Sequence, residues 1–150
     1  MTITRAKAED ACWCARLMSS SEPWITLGRG YEDCLARCRH AEYELWVSRD
    51  EAGVPLGFLL LHPRGVAGSP YVASVAVAPD ARGRGVGKVL MEFAELRWPE
   101  ARHLFLCVSS FNAEARRLYE RLGFSTVGTL ENYVIDGADE ILMHKRLARR

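Results

Sequence analysis

A glycine-rich segment between a strand-like run and a helix-like run is the feature of this sequence that most constrains its fold. Residues 82–88 read Arg-Gly-Arg-Gly-Val-Gly-Lys. Before them, residues 71–78 have the apolar character of a strand. After them, one stripe of an amphipathic helix is formed by Val86, Val89, Leu90, Phe93 and Arg97. The first N–H groups of such a helix have no partner within it, and glycines let a ligand approach them closely.

The charges of this segment are arranged against the helix dipole. Arg82, Arg84 and Lys88 lie in or beside the first turn, where the dipole is positive and a cation typically costs a few tenths of a kcal/mol. Stability alone would favour Asp or Glu there. The pattern therefore predicts that a multiply charged anion, such as a pyrophosphate, binds at this turn. A glycine turn with solvated arginines is the alternative.

Two common phosphate-binding patterns do not fit the segment. A P-loop would need Gly where Arg82 stands and Ser or Thr where Val89 stands. A dinucleotide fingerprint that began at Gly83 would need Gly where Lys88 stands, and it would open a βαβ unit near the start of the domain. Nucleoside triphosphate hydrolysis and nicotinamide chemistry are both disfavoured.

Composition excludes several further classes. The 150 residues fit one domain, 1–150, and with 49% hydrophobic residues they can bury a core without disulfides. A net charge of +1 gives no electrostatic footprint for a nucleic-acid partner. The charged first residues do not resemble a signal peptide, and no run approaches the roughly 18 apolar residues of a membrane span. We therefore expect a cytoplasmic protein with no membrane partner.

The cysteines indicate reduced thiols. There are five, an odd number, and without a secretory signal a disulfide framework is not expected. Cys34 and Cys38 are four residues apart on a predicted helix and could share a metal ion, but the four histidines are scattered along the chain. We expect buried thiols that pack as small hydrophobic groups, and no metal.

Periodicity and turn signals predict the order βα, α, ββ, βα, βα, ββ, which is typical of an α/β (α+β) protein with helices on the faces of one sheet. The predicted strands are 2–5, 42–49, 54–62, 71–78, 104–108, 124–130 and 140–145. The predicted helices are 9–19, 31–39, the one after the glycine-rich segment, and 112–122, which ends before Gly123.

Two motifs identify a resemblance that covers nearly the whole chain. The first is Arg-x-x-Gly-x-Gly at Arg82, Gly85 and Gly87, preceded by Val-Ala-Val-Ala-Pro at 75–79. The second is residues 112–124, which look like the pattern Asn-x-x-Ala-x-x-Leu-Tyr-x-x-x-Gly-Phe. Together they resemble the GCN5-related N-acetyltransferase (GNAT) family. The resemblance implies the acyl-CoA N-acyltransferase fold, a single mixed, mostly antiparallel sheet of six or seven strands flanked by about four helices.

The resemblance also implies an activity. An N-acetyltransferase of this family moves the acetyl group of acetyl-CoA, its cosubstrate, directly to a primary amine of a small molecule or of a protein or peptide. The alternative is an acyl-CoA-binding sensor or regulatory module with little turnover. Dimers are common in the family, so a homodimer is compatible with the resemblance.

By the same resemblance, the loop amides hold the pyrophosphate of acetyl-CoA and the strand before the loop pairs with the pantetheine arm. The implied cofactor-binding residues are Val75, Ala76, Val77, Arg82, Gly83, Arg84, Gly85, Val86, Gly87, Lys88, Asn112 and Tyr119. The Val77 amide would polarise the thioester carbonyl. Asn112 would contact the pantetheine region, serve as a helix N-cap, or do both.

Tyr119 resembles the family's general acid, which protonates the departing thiolate. The alternative is a core tyrosine on the stripe of its helix. The general base is not assigned, because the positions at which family members carry a glutamate are Cys107 and Tyr71 here. Water held by Ser74 or Ser109, or the carboxylate of Glu22, could replace it. Cys107 as an acyl-carrying nucleophile is disfavoured, because an apolar strand raises the pKa of a thiol.

The acceptor site is predicted in the variable early region. Glu22 and Trp24 lie close together in a loop and could bind an ammonium group through charge and a cation–π contact. The alternative for Trp24 is that it anchors the loop to the core. Asn132 and Tyr133, expected between the last two strands, could form the opposite wall.

Overall fold

A computed structural model describes residues 1–148 of the chain. Within these residues the strands are β1 Thr2–Arg5, β2 Glu44–Arg49, β3 Pro55–Val66, β4 Ser69–Val77, β5 His103–Ser109, β6 Ser125–Ile135 and β7 Ala138–Arg146. The helices are α1 Ala8–Ser19, α2 Tyr31–Cys38, α3 Val86–Leu96 and α4 Ala113–Arg121, with a 3-10 turn at Pro79–Ala81 before α3. The predicted order of elements is confirmed.

The seven strands form one mixed sheet in the order β1-β2-β3-β4-β5-β7-β6. Every neighbouring pair is antiparallel except β4 and β5, which are parallel. The predicted fold, a mostly antiparallel sheet flanked by four helices, is therefore confirmed for the part of the chain that the structure describes.

The parallel pair separates soon after it begins. Only two residues of β4 pair with β5: Tyr71 lies opposite Phe105, and Val72 lies opposite Leu106. From Ser74 to Val77, β4 pairs with β3 alone. The strands thus diverge toward the end of the sheet where α3 and α4 begin, and they leave a gap in the middle of the sheet.

The core consists of two apolar clusters, one on each face of the sheet. Leu59 and Leu61 of β3 pack in the cluster that includes α3, whereas Phe58 and Leu60 pack in the cluster that includes α1 and α2. Alternate residues of a strand face opposite sides of the sheet. A strand covered by helices on both faces is therefore apolar at consecutive positions, and this explains the continuous hydrophobic run of β3.

The predictions for the last two strands and for one helical position were wrong in detail. Strands β6 and β7 are longer than 124–130 and 140–145, so Asn132 and Tyr133 lie inside β6 rather than between strands. Asn132 has a φ of 49°, and its side chain accepts a hydrogen bond from the Gly137 N–H at 2.7 Å, which extends the hairpin to a tight turn. On α3, Val89 is 36% exposed and Met91 is buried instead.

No helix among residues 1–148 is long and apolar enough to cross a membrane.

Candidate active site

A cleft of about 1250 Å³ follows the gap between β4 and β5. At one end it reaches the glycine-rich turn before α3, and at the other it reaches the segment 20–29 after α1. Of the residues selected from the sequence, the structure brings these together along its walls: Glu22, Trp24, Val75, Ala76, Val77, Arg82, Gly83, Gly85, Val86, Gly87, Lys88, Asn112 and Tyr119. Arg84 is exposed and is not among the lining residues.

The glycine-rich turn has the geometry of an anion site. Gly83 and Gly85 have φ angles of 75° and 80°, a left-handed conformation that favours glycine. Gly85 is the N-cap of α3, no side chain caps it, and the first turn of the helix contains no acidic residue. The unpaired N–H groups and the positive end of the helix dipole therefore face the cleft without a competing carboxylate.

Neither the backbone conformation nor the packing of the protein requires glycine at position 87. Its φ is not in the left-handed region, and an added Cβ would meet only a Val77 methyl group, at 3.7 Å. That distance is an ordinary van der Waals contact. The residue lies in the first turn of α3 and lines the cleft, so the space beside it is open toward a ligand.

The free edge of β4 exposes backbone polar groups to the gap. The Ala78 N–H donates to the Leu56 carbonyl of β3 at 2.8 Å. Neighbouring residues of a strand direct their N–H and C=O groups to opposite sides, so those of Val77 and Val75 point away from β3 and into the gap. The Val77 carbonyl accepts a bond from Arg82 Nε at 3.3 Å. The Val77 N–H is thus turned toward the cleft.

Tyr119 packs against the core and also reaches the cleft. Its ring packs edge-on against Phe124, with 6.2 Å between ring centroids, and it also lines the cleft. Burial raises the pKa of its hydroxyl to about 12, so the group is protonated at neutral pH and can donate a proton. Among residues 1–148, no side chain forms a hydrogen bond with this hydroxyl.

Asn112 is the N-cap of α4. Its Oδ1 accepts a hydrogen bond from the Ala115 N–H at 3.4 Å, and the residue lines the cleft. The N-cap prediction is confirmed. The cap uses the side-chain oxygen, so the side-chain nitrogen remains available to donate a hydrogen bond to a ligand in the cleft.

Trp24 and Glu22 lie at the far end of the cleft. Trp24 is half-buried against the cluster under α1 and α2, so it anchors its loop and also faces the cleft. Both Glu22 oxygens are held within the same loop, by the Thr26 N–H at 3.0 Å and the Thr26 hydroxyl at 2.7 Å. Tyr133 lines the cleft as well and is 67% exposed, whereas Asn132 does not reach it.

A cluster of titratable side chains lies where β4 and β5 diverge. Cys107 and Tyr71 lie next to each other, and burial raises the pKa of both groups. Ser109 Oγ donates to Glu140 Oε2 at 2.6 Å. Sequence reasoning missed Glu140, because only the antiparallel register of β7 against β5 brings it into the cleft, opposite Ser109.

The cysteines of the second core cluster are buried. The Cys38 and Met18 sulfur atoms are 3.6 Å apart, and burial raises the pKa of Cys38 to about 12. Within the described part of the chain, no group of three or more His, Cys, Asp or Glu side chains is arranged to hold a metal ion. Cys34 is buried in the same cluster, where it packs as a small hydrophobic group.

The fold and the cleft together define an acyltransferase of the acyl-CoA N-acyltransferase fold. The sequence profile of the Acetyltransferase (GNAT) family matches residues 8–124. The peptidyl-lysine N-acetyltransferase YjaB of Escherichia coli K12 is 30% identical over 136 residues, which cover 87% of this chain and 86% of that protein. The chain therefore belongs to the GNAT family, and it is an N-acetyltransferase.

Other relatives are named for the same acceptor or for different ones. The peptidyl-lysine N-acetyltransferase YiaC of E. coli K12 is 34% identical over 65% of this chain and 62% of its own length. Among solved structures, a nourseothricin acetyltransferase has a TM-score of 0.65 at 30% identity and covers 72% of this chain and 67% of its own. The E. coli ribosomal-protein-S18-alanine N-acetyltransferase shares the fold, with a TM-score of 0.76 at 22% identity. The match covers 99% of this chain and 95% of that protein.

Proposed function

We propose that this enzyme transfers the acetyl group of acetyl-CoA directly to a primary amine in the cytoplasm, and that its acceptor is a lysine side chain of a protein or peptide. One observation carries the proposal: the uncapped, acid-free N-terminus of α3 opens onto the same cleft as the unpaired edge of β4. An anion site at the end of a free strand edge suits a ligand with a pyrophosphate and an extended, amide-bearing arm.

The cosubstrate would bind along the length of this cleft. Residues 82–88 would hold the pyrophosphate, with backbone N–H groups as donors and the Arg82 and Lys88 side chains beside them. The pantetheine amides would pair with the gap-facing backbone groups of Val75 and Val77 in the manner of an added strand. Asn112 would contact the same arm from the opposite wall.

The transfer would occur where this arm ends. The Val77 N–H would stabilise the negative charge that develops on the thioester oxygen. The Tyr119 hydroxyl, which is protonated and has no side-chain partner among residues 1–148, would donate its proton to the departing thiolate. Direct transfer requires no acyl-enzyme intermediate, and the raised pKa of Cys107 argues against a thiolate nucleophile there.

Lysine is the favoured acceptor because two E. coli relatives, 30% and 34% identical over 87% and 65% of this chain, are named for peptidyl lysine. A small-molecule amine is the second candidate, because the chain is also similar to a nourseothricin acetyltransferase. Glu22 and Trp24, at the acceptor end of the cleft, would contact the ammonium group of either one.

The test has two measurements. Coenzyme A at a concentration well above its Kd should raise the Tm of the protein by several degrees, since a ligand that binds only the folded state stabilises it. Thiol release from acetyl-CoA should then accelerate with lysine peptides more than with free lysine, polyamines or nourseothricin, measured against a reaction that contains no amine.

Each outcome decides a part of the proposal. No thermal shift with coenzyme A would overturn the cosubstrate assignment. A preference for a small amine over every lysine peptide would establish the second candidate. A thermal shift without any amine-dependent thiol release would contradict the transfer reaction and support an acyl-CoA sensor.

A further inference from the structure

Four carboxylates among residues 1–148 line the cleft, and three of them are poorly suited to remove a proton from the acceptor. They are Glu22, Asp33, Glu114 and Glu140. Both Glu22 oxygens are held by Thr26, and Asp33 caps the start of α2 through the Gly30 N–H at 3.3 Å. Asp33, Glu22 and Glu114 are all exposed, whereas Glu140 is half-buried in an inner strand of the sheet.

The strand register fixes where Glu140 lies. It is directly opposite Ser109 of β5 in the antiparallel pair of β5 and β7. Cys107 is two residues before Ser109, so the two side chains share one face of β5. Tyr71, from β4, lies next to Cys107. Glu140 therefore joins the cluster at the point where β4 leaves β5, which is the point where the cleft enters the sheet.

The two oxygens of Glu140 have different roles. Oε2 accepts the bond from Ser109 Oγ at 2.6 Å, and this fixes the orientation of the carboxylate. Oε1 has no hydrogen-bond partner among residues 1–148. A carboxylate that is held by one oxygen and open at the other can accept a proton from a ligand or from one bridging water.

The surroundings of Glu140 also tune its basicity. Burial raises the pKa of this carboxyl, and the bond from Ser109 partly opposes that effect. The titratable groups that face it are Cys107 from β5 and Tyr71 from β4. The charge of Arg37 on α2 partly opposes the effect of burial on the pKa of Tyr71. On β6 its partner is the apolar Leu130. A carboxylate shifted toward neutrality is a stronger base than an ordinary surface glutamate.

We propose that Glu140 is the general base of the transfer reaction, and that it supplies from β7 the carboxylate that is absent at Cys107 and Tyr71. The inference rests on the proposed function. The acceptor ammonium gives one proton to Glu140, directly or through one water, and becomes a neutral amine. Its nitrogen lone pair forms the C–N bond to the acetyl carbon, and the electrons of the breaking C–S bond go to sulfur.

The remaining protons balance within the site. Tyr119 gives its proton to the sulfur and recovers one from the positively charged nitrogen of the tetrahedral intermediate. Glu140 then releases its proton to solvent. The net products are the amide, coenzyme A as a free thiol, and one proton, and no other reactant is required.

The main test compares Glu140→Gln with the wild type across a pH range. Gln keeps the shape of Glu140 and can still accept from Ser109, so the variant should fold. It should lower kcat/KM at neutral pH by about 100-fold or more, and it should abolish the acidic limb of the pH profile. Glu131→Gln, an exposed glutamate on β6 outside the cleft, is the matched control and should retain the wild-type profile.

Stability provides a readout that separates catalysis from structure. The pKa of Glu140 is raised in the folded state, so ionisation of this carboxyl lowers the free energy of unfolding as the pH rises. Glu140→Gln should therefore have the same Tm as the wild type or a higher one. A structural role alone would lower the Tm together with the rate.

Ser109→Ala gives an independent test. The Ser109 bond lowers the pKa of Glu140, so its loss should shift the acidic limb upward by about one pH unit.

Wild-type activity or an unchanged acidic limb in Glu140→Gln would overturn the assignment, as would an unshifted limb in Ser109→Ala. The thermal shift with coenzyme A should persist in both variants. Its absence from the wild type would overturn the proposed function instead.

Discussion

The Arg37 guanidinium of α2 holds the carbonyl of Ala73 at the point where β4 leaves the sheet. Arg37 Nη2 donates to the Ala73 oxygen at 3.0 Å, and Nε donates to the Ser74 hydroxyl at 3.3 Å. Ala73 is the extra residue of a β-bulge, because Ser74 pairs with Leu60 while Val72 pairs with Leu61. A helix on one face of the sheet thus stabilises the irregularity that accompanies the opening of the cleft.

We predict that Arg37→Met impairs the cleft as well as the fold. The change removes the charged donor of the Ala73 carbonyl, which keeps the Ser74 hydroxyl at 2.7 Å. A hydrogen bond to a charged group typically contributes about 1.5–3 kcal/mol. The substitution should lower the Tm and raise the KM for acetyl-CoA several-fold, because the free edge of β4 is no longer held in place. Arg39→Met, at the exposed end of the same helix, is the control. A lower Tm with an unchanged KM would show that the bulge does not position the cosubstrate.

Tyr119→Phe tests the general acid. The hydroxyl forms no side-chain hydrogen bond within residues 1–148, so its loss should leave the Tm and the coenzyme A thermal shift almost unchanged. Turnover should fall roughly 10- to 1000-fold, because the thiolate would leave without a proton donor. Tyr31→Phe, outside the cleft, should have no such effect. Unchanged turnover in Tyr119→Phe would remove the assignment.

Gly87→Ala separates cofactor binding from folding. The added methyl group meets only Val77 at an ordinary contact distance, and alanine favours a helix over glycine by up to about 1 kcal/mol. The Tm should therefore be maintained or rise. The Kd for coenzyme A, measured by calorimetry, should increase at least tenfold because the methyl group occupies space beside the proposed pyrophosphate site. Gly128→Ala, in open space on β6, is the matched control. Unchanged affinity in Gly87→Ala would place the pyrophosphate elsewhere.

The residues that could be predicted from the sequence are those whose role depends on local spacing. The glycine turn, the helix that follows it and the Asn112 cap are set by neighbours in the chain, and the structure has all three. Glu140 and Arg37 act across strands and between a helix and the sheet. Their partners are 31 and 36 residues away in sequence. The periodicity of a single helix or strand cannot predict contacts over that distance.

Other differences arise from tertiary packing. Periodicity selected Val89 for the buried stripe of α3, but the helix turns Met91 toward the sheet. The apolar stripe of a helix does not fix which residues at its border are buried. The packing of α3 against β3 and β4 determines this.

A histidine pair at the far end of the sheet predicts how stability depends on pH. His103 Nδ1 and His144 Nε2 are 2.8 Å apart across β5 and β7, which requires that at least one ring be neutral. Burial and the neighbouring His103 lower the pKa of His144. The unfolded chain, with an ordinary histidine pKa of about 6.5, then binds a proton more readily than the folded chain does. Stability should therefore fall as the pH decreases through that value.

His144→Gln should reduce this loss, because the variant has no imidazole at this position to protonate. The measurement is the Tm of both proteins between pH 8 and pH 5.5. The two curves should converge toward the acidic end, where the wild type bears the cost of charging one ring beside the other. His40→Gln, which changes an exposed histidine away from the pair, should follow the wild-type curve. Parallel curves for His144→Gln and the wild type would show that the pair does not control acid stability.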